Sequence, residues 1–221
     1  MDLAFQHKWD ITAEEAKQLQ IELASRVVRR DMVGTVRYVA GVDVAFFDEG
    51  RISQGAVVVL SWPELQIVAQ EVARQETTFP YVPGFLSFRE VPVLLAALAK
   101  LEQVPDLILC DGQGVAHPRR FGLACHLGVL TDIATIGVAK TRFIGVHEEV
   151  PVARGSSVRL VDSGEEVGRV VRTQAGVRPL YVSVGHKVSL ETAVTYVLGC
   201  APRFRLPETT RQADRLARIR L

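Results

Sequence analysis

Cysteine and long apolar runs are scarce in this sequence, and their scarcity excludes several classes of protein. The 221 residues include only three cysteines, widely spaced and without a Cys-x-x-Cys pair. A disulfide framework or a cysteine zinc site is therefore poorly supported, and we expect a reducing, cytoplasmic compartment. The longest apolar stretch, about residues 93–99, is far shorter than the roughly 20 residues that span a membrane. The N-terminus lacks a basic region followed by an apolar core, so we expect no secretory signal.

An overall excess of charge is also lacking, because the formal net charge is only +1. With 48% hydrophobic and 23% charged residues, the composition is that of a globular protein. Positive charge is local instead. Residues 201–221 hold six arginines and two acids, and a second basic cluster includes Arg119 and Arg120. Such patches suit a localised contact with a polyanion, although a solvated arginine-rich helix face has the same pattern.

The order of predicted elements indicates one α/β domain over residues 1–221, without repeats or a linker. A capping box at residues 12–15 predicts a helix to about Arg30. Strand-like runs at 37–47, 51–60 and 65–76 have links short enough for an antiparallel meander. The remaining predicted elements are helices ending near Gln103, spanning 121–130 and starting near Ser189 and Glu208, and strands at 105–111, 133–140, 166–173 and 179–184.

Four acidic residues are candidates for chemistry. Asp43 lies inside the apolar run 39–47, where an ionised carboxylate costs several kcal/mol unless it is paired or bound to metal. Asp111 ends a predicted buried strand before a Gly-Gln-Gly turn, and ligands bind at the carboxyl ends of strands in open α/β sheets. Glu90 and Asp214 have ordinary alternatives, since Glu90 has capping-box spacing from a serine and Asp214 lies among arginines.

Carboxylates on these strands and helices could converge at one edge of a sheet. Clustered carboxylates repel one another, so they persist mainly where divalent cations neutralise them. Oxygen ligands of this kind suit Mg²⁺ or Mn²⁺. Two such ions about 4 Å apart could hold a phosphodiester, activate water and stabilise the leaving oxygen.

The loop at residues 79–85 carries a separate signal, because prolines bracket Tyr81 and fix the backbone around it. Proteins that open nucleic acid insert rigid aromatic or apolar wedges of this kind between bases. An aromatic loop that packs on its own core is the common alternative. Lys140 ends an apolar strand and could simply reach solvent. His186 precedes a predicted helix N-terminus, where an anion could bind.

Six segments of the sequence, in the same order, resemble the endonuclease V family of deoxyinosine 3′ endonucleases. The resemblance extends from about residue 13 to residue 218 and implies a single ribonuclease H-like domain with a mixed central sheet flanked by helices. The segments are Ala40-Gly-Val-Asp-Val-Ala, Pro80-Tyr-Val-Pro-Gly-Phe-Leu-Ser-Phe-Arg-Glu, Asp111-Gly-Gln-Gly-Val-Ala-His-Pro-Arg-Arg, Thr135-Ile-Gly-Val-Ala-Lys, Val184-Gly-His-Lys-Val-Ser and Arg205-Leu-Pro-Glu-Thr-Thr-Arg-Gln-Ala-Asp.

The resemblance also implies roles for individual residues. Asp43 and Asp111 match the Mg²⁺ ligands of the family, for which Mn²⁺ can substitute, and Glu90 and Asp214 match further acidic positions. Tyr81 matches the wedge that separates the lesion strand from its complement. Matches near the scissile phosphate are His117 and Lys140. The other positions expected to contact DNA or line the base pocket are Pro80, Val82, Pro83, Gly84, Gly112, Phe143, Arg119, Arg120 and His186.

The activity implied is Mg²⁺-dependent hydrolysis of the second phosphodiester bond 3′ to deoxyinosine, which leaves 3′-hydroxyl and 5′-phosphate ends. The partner implied is DNA that contains deaminated adenine, and nothing requires more than a monomer. Three alternatives remain: an endonuclease specific for inosine in RNA, a nucleic-acid-binding module that has lost catalysis, and a small-molecule α/β enzyme. The last is poorly supported, because the glycine-rich turn after Asp111 does not complete a dinucleotide fingerprint.

Overall fold

The computed structural model describes residues 2–220, which form one eight-stranded sheet and the helices around it. None of these helices has the length and apolar character needed to cross a membrane. The helices are α1 (Ala13–Ala24), α2 (Leu86–Leu98), α3 (Leu123–Thr131), α4 (Leu190–Cys200) and α5 (Glu208–Ala217). The strands are β1 (Tyr38–Phe47), β2 (Ile52–Ser61), β3 (Ile67–Glu76), β4 (Leu107–Cys110), β5 (Ala134–Ala139), β6 (Ser157–Asp162), β7 (Glu165–Val171) and β8 (Leu180–His186).

The sheet has the strand order β3-β2-β1-β4-β5-β8-β7-β6. Strands β1, β2 and β3 form the expected antiparallel meander, and β1, β4 and β5 run parallel at the centre. Strand β8 returns antiparallel to β5 and is followed outward by β7 and β6. The prediction of a mixed α/β sheet flanked by helices is therefore confirmed.

The two faces of β1 are covered by different helices. Ala40 and Val42 lie in an apolar cluster with residues of α2 and α3. On the opposite face α5 approaches so closely that a Cβ on Gly41 would lie 2.1 Å from the carbonyl oxygen of Thr209. Because side chains alternate along a strand, Asp43 lies on the same face as Gly41 and points toward α5. A glycine in β1 thus brings the last helix next to a partly buried acid.

Several predicted boundaries are wrong for reasons of tertiary structure. Helix α1 ends at Ala24 rather than near Arg30, because the following residues bond to other parts of the protein. The carbonyl oxygen of Val28 accepts from the backbone N–H of Lys187, and its own N–H donates to Nδ1 of His186. Arg29 pairs with Glu165. Similarly, α2 ends at Leu98, several residues before Gln103.

Strand β6 was not predicted from the sequence. It forms a hairpin with β7 through Ser163 and Gly164, which both have positive φ angles, 52° and 82°. Such angles suit a tight hairpin turn, and a Ser-Gly pair between two short polar strands was the available signal. No apolar pattern marks β6 in the sequence, because only Leu160 of that strand is fully buried.

Candidate active site

Asp43 and Asp111 lie side by side at the carboxyl ends of two parallel strands. Val42 of β1 is in register with Cys110 at the end of β4, so the next residue on each chain is one of the two aspartates. Neighbouring strands are about 4.8 Å apart, which brings the two carboxyl groups together. Lys140 follows β5, the next parallel strand, and its Nζ forms an ion pair with Oδ2 of Asp111. The three residues form a row along one edge of the sheet, which we call the carboxylate–lysine row.

Glu90 and Asp214 approach this row from helices on opposite faces of the sheet. Glu90 belongs to α2, and the charges of Asp43 and Asp111 both act on its carboxyl group. Asp214 belongs to α5, acts on Asp43 in the same way, and accepts a hydrogen bond of 2.8 Å from Arg218. The structure therefore brings all four predicted acids into one neighbourhood, as the sequence pattern suggested.

The environment of these acids disfavours their ionised forms. Burial, followed by the charges of Asp111 and Asp214, raises the pKa of Asp43 to about 7, and Lys140 offsets part of that effect. Burial, followed by the charges of Asp43 and Asp111, raises the pKa of Glu90 to about 8. Both residues keep some accessible surface, but the surrounding protein still makes their negative charge costly. Partial burial is the largest single influence on Lys140 and lowers its pKa, but the hydrogen bond to Asp111 and the charges of Asp111, Asp43 and Asp214 together outweigh it, so the lysine pKa is raised.

The chemistry of these side chains fits a hard divalent cation. Carboxylate oxygens are the ligands that such ions prefer, and a cation would relieve the repulsion that raises the pKa of Asp43 and Glu90. Within residues 2–220 no three His, Cys, Asp or Glu side chains are already grouped to hold an ion. Asp111 turns toward Lys140 instead, so the same oxygen would have to exchange the ammonium group for the metal.

A cleft of about 360 Å³ opens directly beside the carboxylate–lysine row. Asp111 and Lys140 form one side of it, and the loop that contains Tyr81 forms another. Tyr81 is 70% exposed and Phe143 is 44% exposed. Of the predicted pocket and DNA-contact residues, those that line the cleft are Tyr81, Val82, Pro83, Gly84, Gly112, His117 and Phe143. Pro80 is exposed next to Tyr81 but does not line the cleft.

His117 lines the cleft but is committed to protein partners rather than free to meet a phosphate. Its Nδ1 accepts a hydrogen bond of 3.2 Å from the backbone N–H of Arg119, so Nε2 carries the proton and donates to the carbonyl oxygen of Gly84 at 3.0 Å. Burial, followed by the charge of Arg119, lowers the pKa of His117 to about 4. In this structure the neutral ring therefore supports the neighbouring loop, and the expected role of His117 near the scissile phosphate stays a prediction.

Three other residues predicted to contact DNA are bonded to protein groups in this structure. Arg120 donates to Asp162 and Glu165 at 2.7 Å each. His186 is buried beside Thr135, at the opposite end of β5 from Lys140. Its Nδ1 accepts from the backbone of residue 28, and its Nε2 lies 3.4 Å from a carboxylate of residue 132. Arg119 is near the cleft but bonds to residues 20 and 84. These side chains hold the fold together in this structure rather than offering free positive charge.

Sequence reasoning missed a buried glutamine that borders the cleft. Gln20 in α1 is 1% exposed, and its amide bonds to the backbone carbonyls of Gly84 and Phe121. The available signal was its position, because it shares the buried face of the helix with Ala16 and Leu23 at helical spacing. A second groove, of about 390 Å³, lies on the α5 side of Asp111 and Lys140 and is bordered by Arg211, Asp214, Arg215 and Arg218.

Comparisons with known proteins agree on one family. The family model described as Endonuclease V matches residues 21–215. The chain is 57% identical to an endonuclease V from a Nostoc species over 212 residues, which cover 96% of both chains.

Solved structures give the same result. The crystal structure of endonuclease V from Streptomyces avermitilis has a TM-score of 0.91 and 49% identity, covering 99% of this chain and 96% of that one. The endonuclease V of Ciona intestinalis, solved with DNA that contains an inosine followed by a ribo-adenosine, has a TM-score of 0.83 and 32% identity, covering 94% and 97%. This likeness confirms the predicted ribonuclease H-like fold. The chain belongs to the endonuclease V family.

Proposed function

We propose that this protein is a divalent-metal-dependent endonuclease that recognises deoxyinosine in DNA. It hydrolyses the second phosphodiester bond 3′ to the lesion and leaves 3′-hydroxyl and 5′-phosphate ends. The observation that carries the proposal is the position of the cleft, which shares Asp111 and Lys140 with the carboxylate–lysine row. A base held in the cleft would thus present its own strand to these residues. The Ciona relative, which was solved with inosine-containing DNA, supports the choice of lesion.

Asp43 and Asp111 are the proposed ligands of Mg²⁺, for which Mn²⁺ would substitute, and Glu90 and Asp214 complete the acidic neighbourhood. When bound, the metal would lower the pKa of water and stabilise negative charge on the phosphodiester. Raised pKa values leave Asp43 partly and Glu90 mostly protonated near neutral pH, so metal binding would displace protons from this acidic neighbourhood. The ionised carboxylates would hold the metal, and the metal would in turn orient the reacting phosphate.

Lys140 is the proposed electrostatic partner of that phosphate. Its ammonium group contacts Asp111 in this structure and lines the cleft and the α5 groove alike. A fixed positive charge next to the reacting phosphorus stabilises the extra negative charge that develops in the transition state. With Asp111 engaged by a metal, Lys140 would be free to contact the phosphate. Its charge persists at neutral pH, because Asp111 and the neighbouring acids raise its pKa.

Tyr81 is the proposed wedge that separates the lesion strand from its complement. Its ring is 70% exposed, and the prolines on either side of it restrict the loop backbone. A mispaired hypoxanthine costs less to unstack than a normal base, so insertion of the ring would favour the lesion. The turned-out base would then occupy the cleft, against Val82, Gly84, Gly112 and Phe143.

An inosine-specific endoribonuclease is the second candidate. It is favoured by one observation, since the DNA bound to the Ciona relative carries a ribo-adenosine directly after the inosine. Single-stranded RNA presents unstacked bases and does not require a wedge. The exposed Tyr81 therefore favours a duplex, and we place DNA first. A non-catalytic binding module is disfavoured, because all four acids meet in one neighbourhood.

A panel of matched substrates tests the proposal. End-labelled duplexes with one deoxyinosine or with adenine at the same position, and a single-stranded RNA with one inosine, are incubated with Mg²⁺, with Mn²⁺ or with chelator. We expect one metal-dependent cut in the deoxyinosine duplex and none in the adenine duplex. Faster cleavage of the RNA would reverse the ranking of the two candidates. Tight binding of deoxyinosine without any cut would replace both with the binding module.

A further inference from the structure

One backbone carbonyl at the end of the Tyr81 loop accepts hydrogen bonds from three side chains. The oxygen of Gly84 lies 2.7 Å from Nη2 of Arg119, 3.0 Å from Nε2 of His117 and 3.1 Å from Nε2 of Gln20. A carbonyl oxygen has two lone pairs, so three donors on one oxygen are more than its ordinary share. The donors come from α1 and from the segment after β4, which are distant in sequence from the loop.

The donors are also bonded to one another. Nε of Arg119 donates to Oε1 of Gln20 at 2.5 Å, and the backbone N–H of Arg119 donates to Nδ1 of His117. The guanidinium carbon of Arg119 lies 4.4 Å above the ring centre of Phe85. Each polar group of the set thus has a fixed orientation, and networks of this kind are more rigid than single hydrogen bonds. We call Gln20, His117, Arg119 and the carbonyl of Gly84 the loop anchor.

The backbone at Gly84 shows why the anchor needs a glycine. Its φ angle is +84°, and a Cβ there would lie 2.9 Å from Nη2 of Arg119. The absence of a side chain therefore lets the guanidinium group reach the carbonyl. Gly84 follows Pro83, whose ring fixes φ, and the backbone N–H of Phe85 closes a turn onto the carbonyl of Val82 at 3.0 Å. Movement of the loop between Tyr81 and the anchor is restricted at each step.

A wedge must resist the stack that it opens. Tyr81 is mostly exposed, so packing of its own ring does little to hold it, and a force on the ring passes along the loop to its attachment. On one side that attachment is the buried Phe79, whose carbonyl oxygen accepts from Arg89 at 2.9 Å, and on the other side it is the loop anchor, three residues from Tyr81. The ring can therefore push paired bases apart only if the loop anchor stays in place. A single-stranded substrate has no base pairs to separate, so its cleavage does not require a rigid anchor.

We propose that Gln20 is a positioning residue for duplex opening, acting through His117, Arg119 and the carbonyl of Gly84 on the wedge Tyr81. This inference rests on the proposed function. It assigns to the first helix a part in recognising damage in a duplex, although that helix carries none of the acids of the site. Gln20 donates to Gly84 and accepts from Arg119, and an apolar side chain of similar length can do neither.

Gln20→Met tests the inference, because methionine keeps a similar volume and removes both hydrogen-bonding groups. The measurement is kcat/KM on a deoxyinosine duplex divided by kcat/KM on the same strand alone. We expect this ratio to fall about tenfold, the effect of losing one or two hydrogen bonds in the anchor. Gln18→Met, on the exposed face of the same helix, should leave the ratio unchanged. An unchanged ratio for Gln20→Met would overturn the inference.

Further variants distinguish positioning from a loss of folding. Arg119→Lys keeps the charge but loses the planar guanidinium group, and it should lower the same ratio. This variant replaces Gln20→Met as the test if Gln20→Met does not fold. In the Tyr81→Ala background, Gln20→Met should have little further effect on the ratio, because the wedge it supports is already absent. A full additional loss in that background would contradict the mechanism. If the wild-type protein cuts neither substrate, the proposed function fails instead of this inference.

Discussion

Replacing Glu90 with glutamine should remove a pH-dependent loss of stability that the wild-type protein shows without divalent metal. Burial and the charges of Asp43 and Asp111 raise the pKa of Glu90 from its ordinary value of 4.5 to about 8. Between those two values the folded protein holds this proton and the unfolded chain does not. The free energy of unfolding therefore falls as the pH rises from about 4.5 to about 8, and it levels off above that range.

The size of the effect follows from the same two pKa values. A tenfold change in proton affinity is worth about 1.4 kcal/mol, so the full rise to about 8 corresponds to about 5 kcal/mol. The side chain of Glu90 keeps some accessible surface, and solvent reduces such energies, so this value is an upper limit. Asp43, with a pKa of about 7, adds to the slope in the same direction. Glutamine has a similar shape and carries no charge at any pH in the range.

Urea unfolding in chelator at about pH 5 and about pH 9 measures the difference between the two proteins. We expect Glu90→Gln to exceed the wild type by about 2 kcal/mol or more at the higher pH and to lose most of that advantage at the lower one. Glu102→Gln, at an exposed position, is the matched control and should follow the wild type. Added Mg²⁺ should stabilise the wild type at high pH, because it binds the ionised acids. Parallel pH curves for wild type and Glu90→Gln would refute the reasoning.

Three further perturbations test other parts of the structure. Tyr81→Ala should lower cleavage of a deoxyinosine duplex more than that of the single strand, and equal losses in a gel assay would remove the wedge. Gly41→Ala should destabilise the protein by about 3 kcal/mol in urea, because its Cβ would meet Thr209 at 2.1 Å; unchanged stability would mean that α5 does not need this contact. Arg211→Ala should reduce the slope of log affinity against log salt by about 1 if the α5 groove binds a phosphate, and an unchanged slope in a binding titration would exclude that contact.

The sequence predicts the architecture well where hydrophobic pattern and turns act locally. The meander β1 to β3 and the two buried parallel strands follow from apolar runs and short links, so their existence and order agree with the structure. Tertiary contacts decide what the sequence could not show. Arg29 lies outside α1 and pairs with Glu165, which is distant in sequence. The turn at Ser163-Gly164 pairs β6 with β7, although β6 has no apolar run of its own.

The acids of the site were predictable, whereas the partners of its basic residues were not. An aspartate inside an apolar strand and another at a strand end are conspicuous in sequence, because burying a carboxylate costs free energy unless it is paired or bound to a metal. A histidine or an arginine on a loop has no such signature. Whether His117 meets a phosphate or the carbonyl of Gly84 depends on which loop lies beside it. That neighbour is more than thirty residues away along the chain, and only the fold brings it there.

Cleavage of one end-labelled deoxyinosine duplex by the wild type, Asp111→Asn and Asp10→Asn tests the central claim most directly. Asp111 belongs to the carboxylate–lysine row and to the cleft, while Asp10 is exposed. With Mg²⁺ the account predicts one cut at the second bond 3′ to the lesion for the wild type and Asp10→Asn, none for Asp111→Asn, and retained binding of the duplex by all three. A cut of undiminished rate by Asp111→Asn, or no metal-dependent cut by the folded wild type, would contradict it.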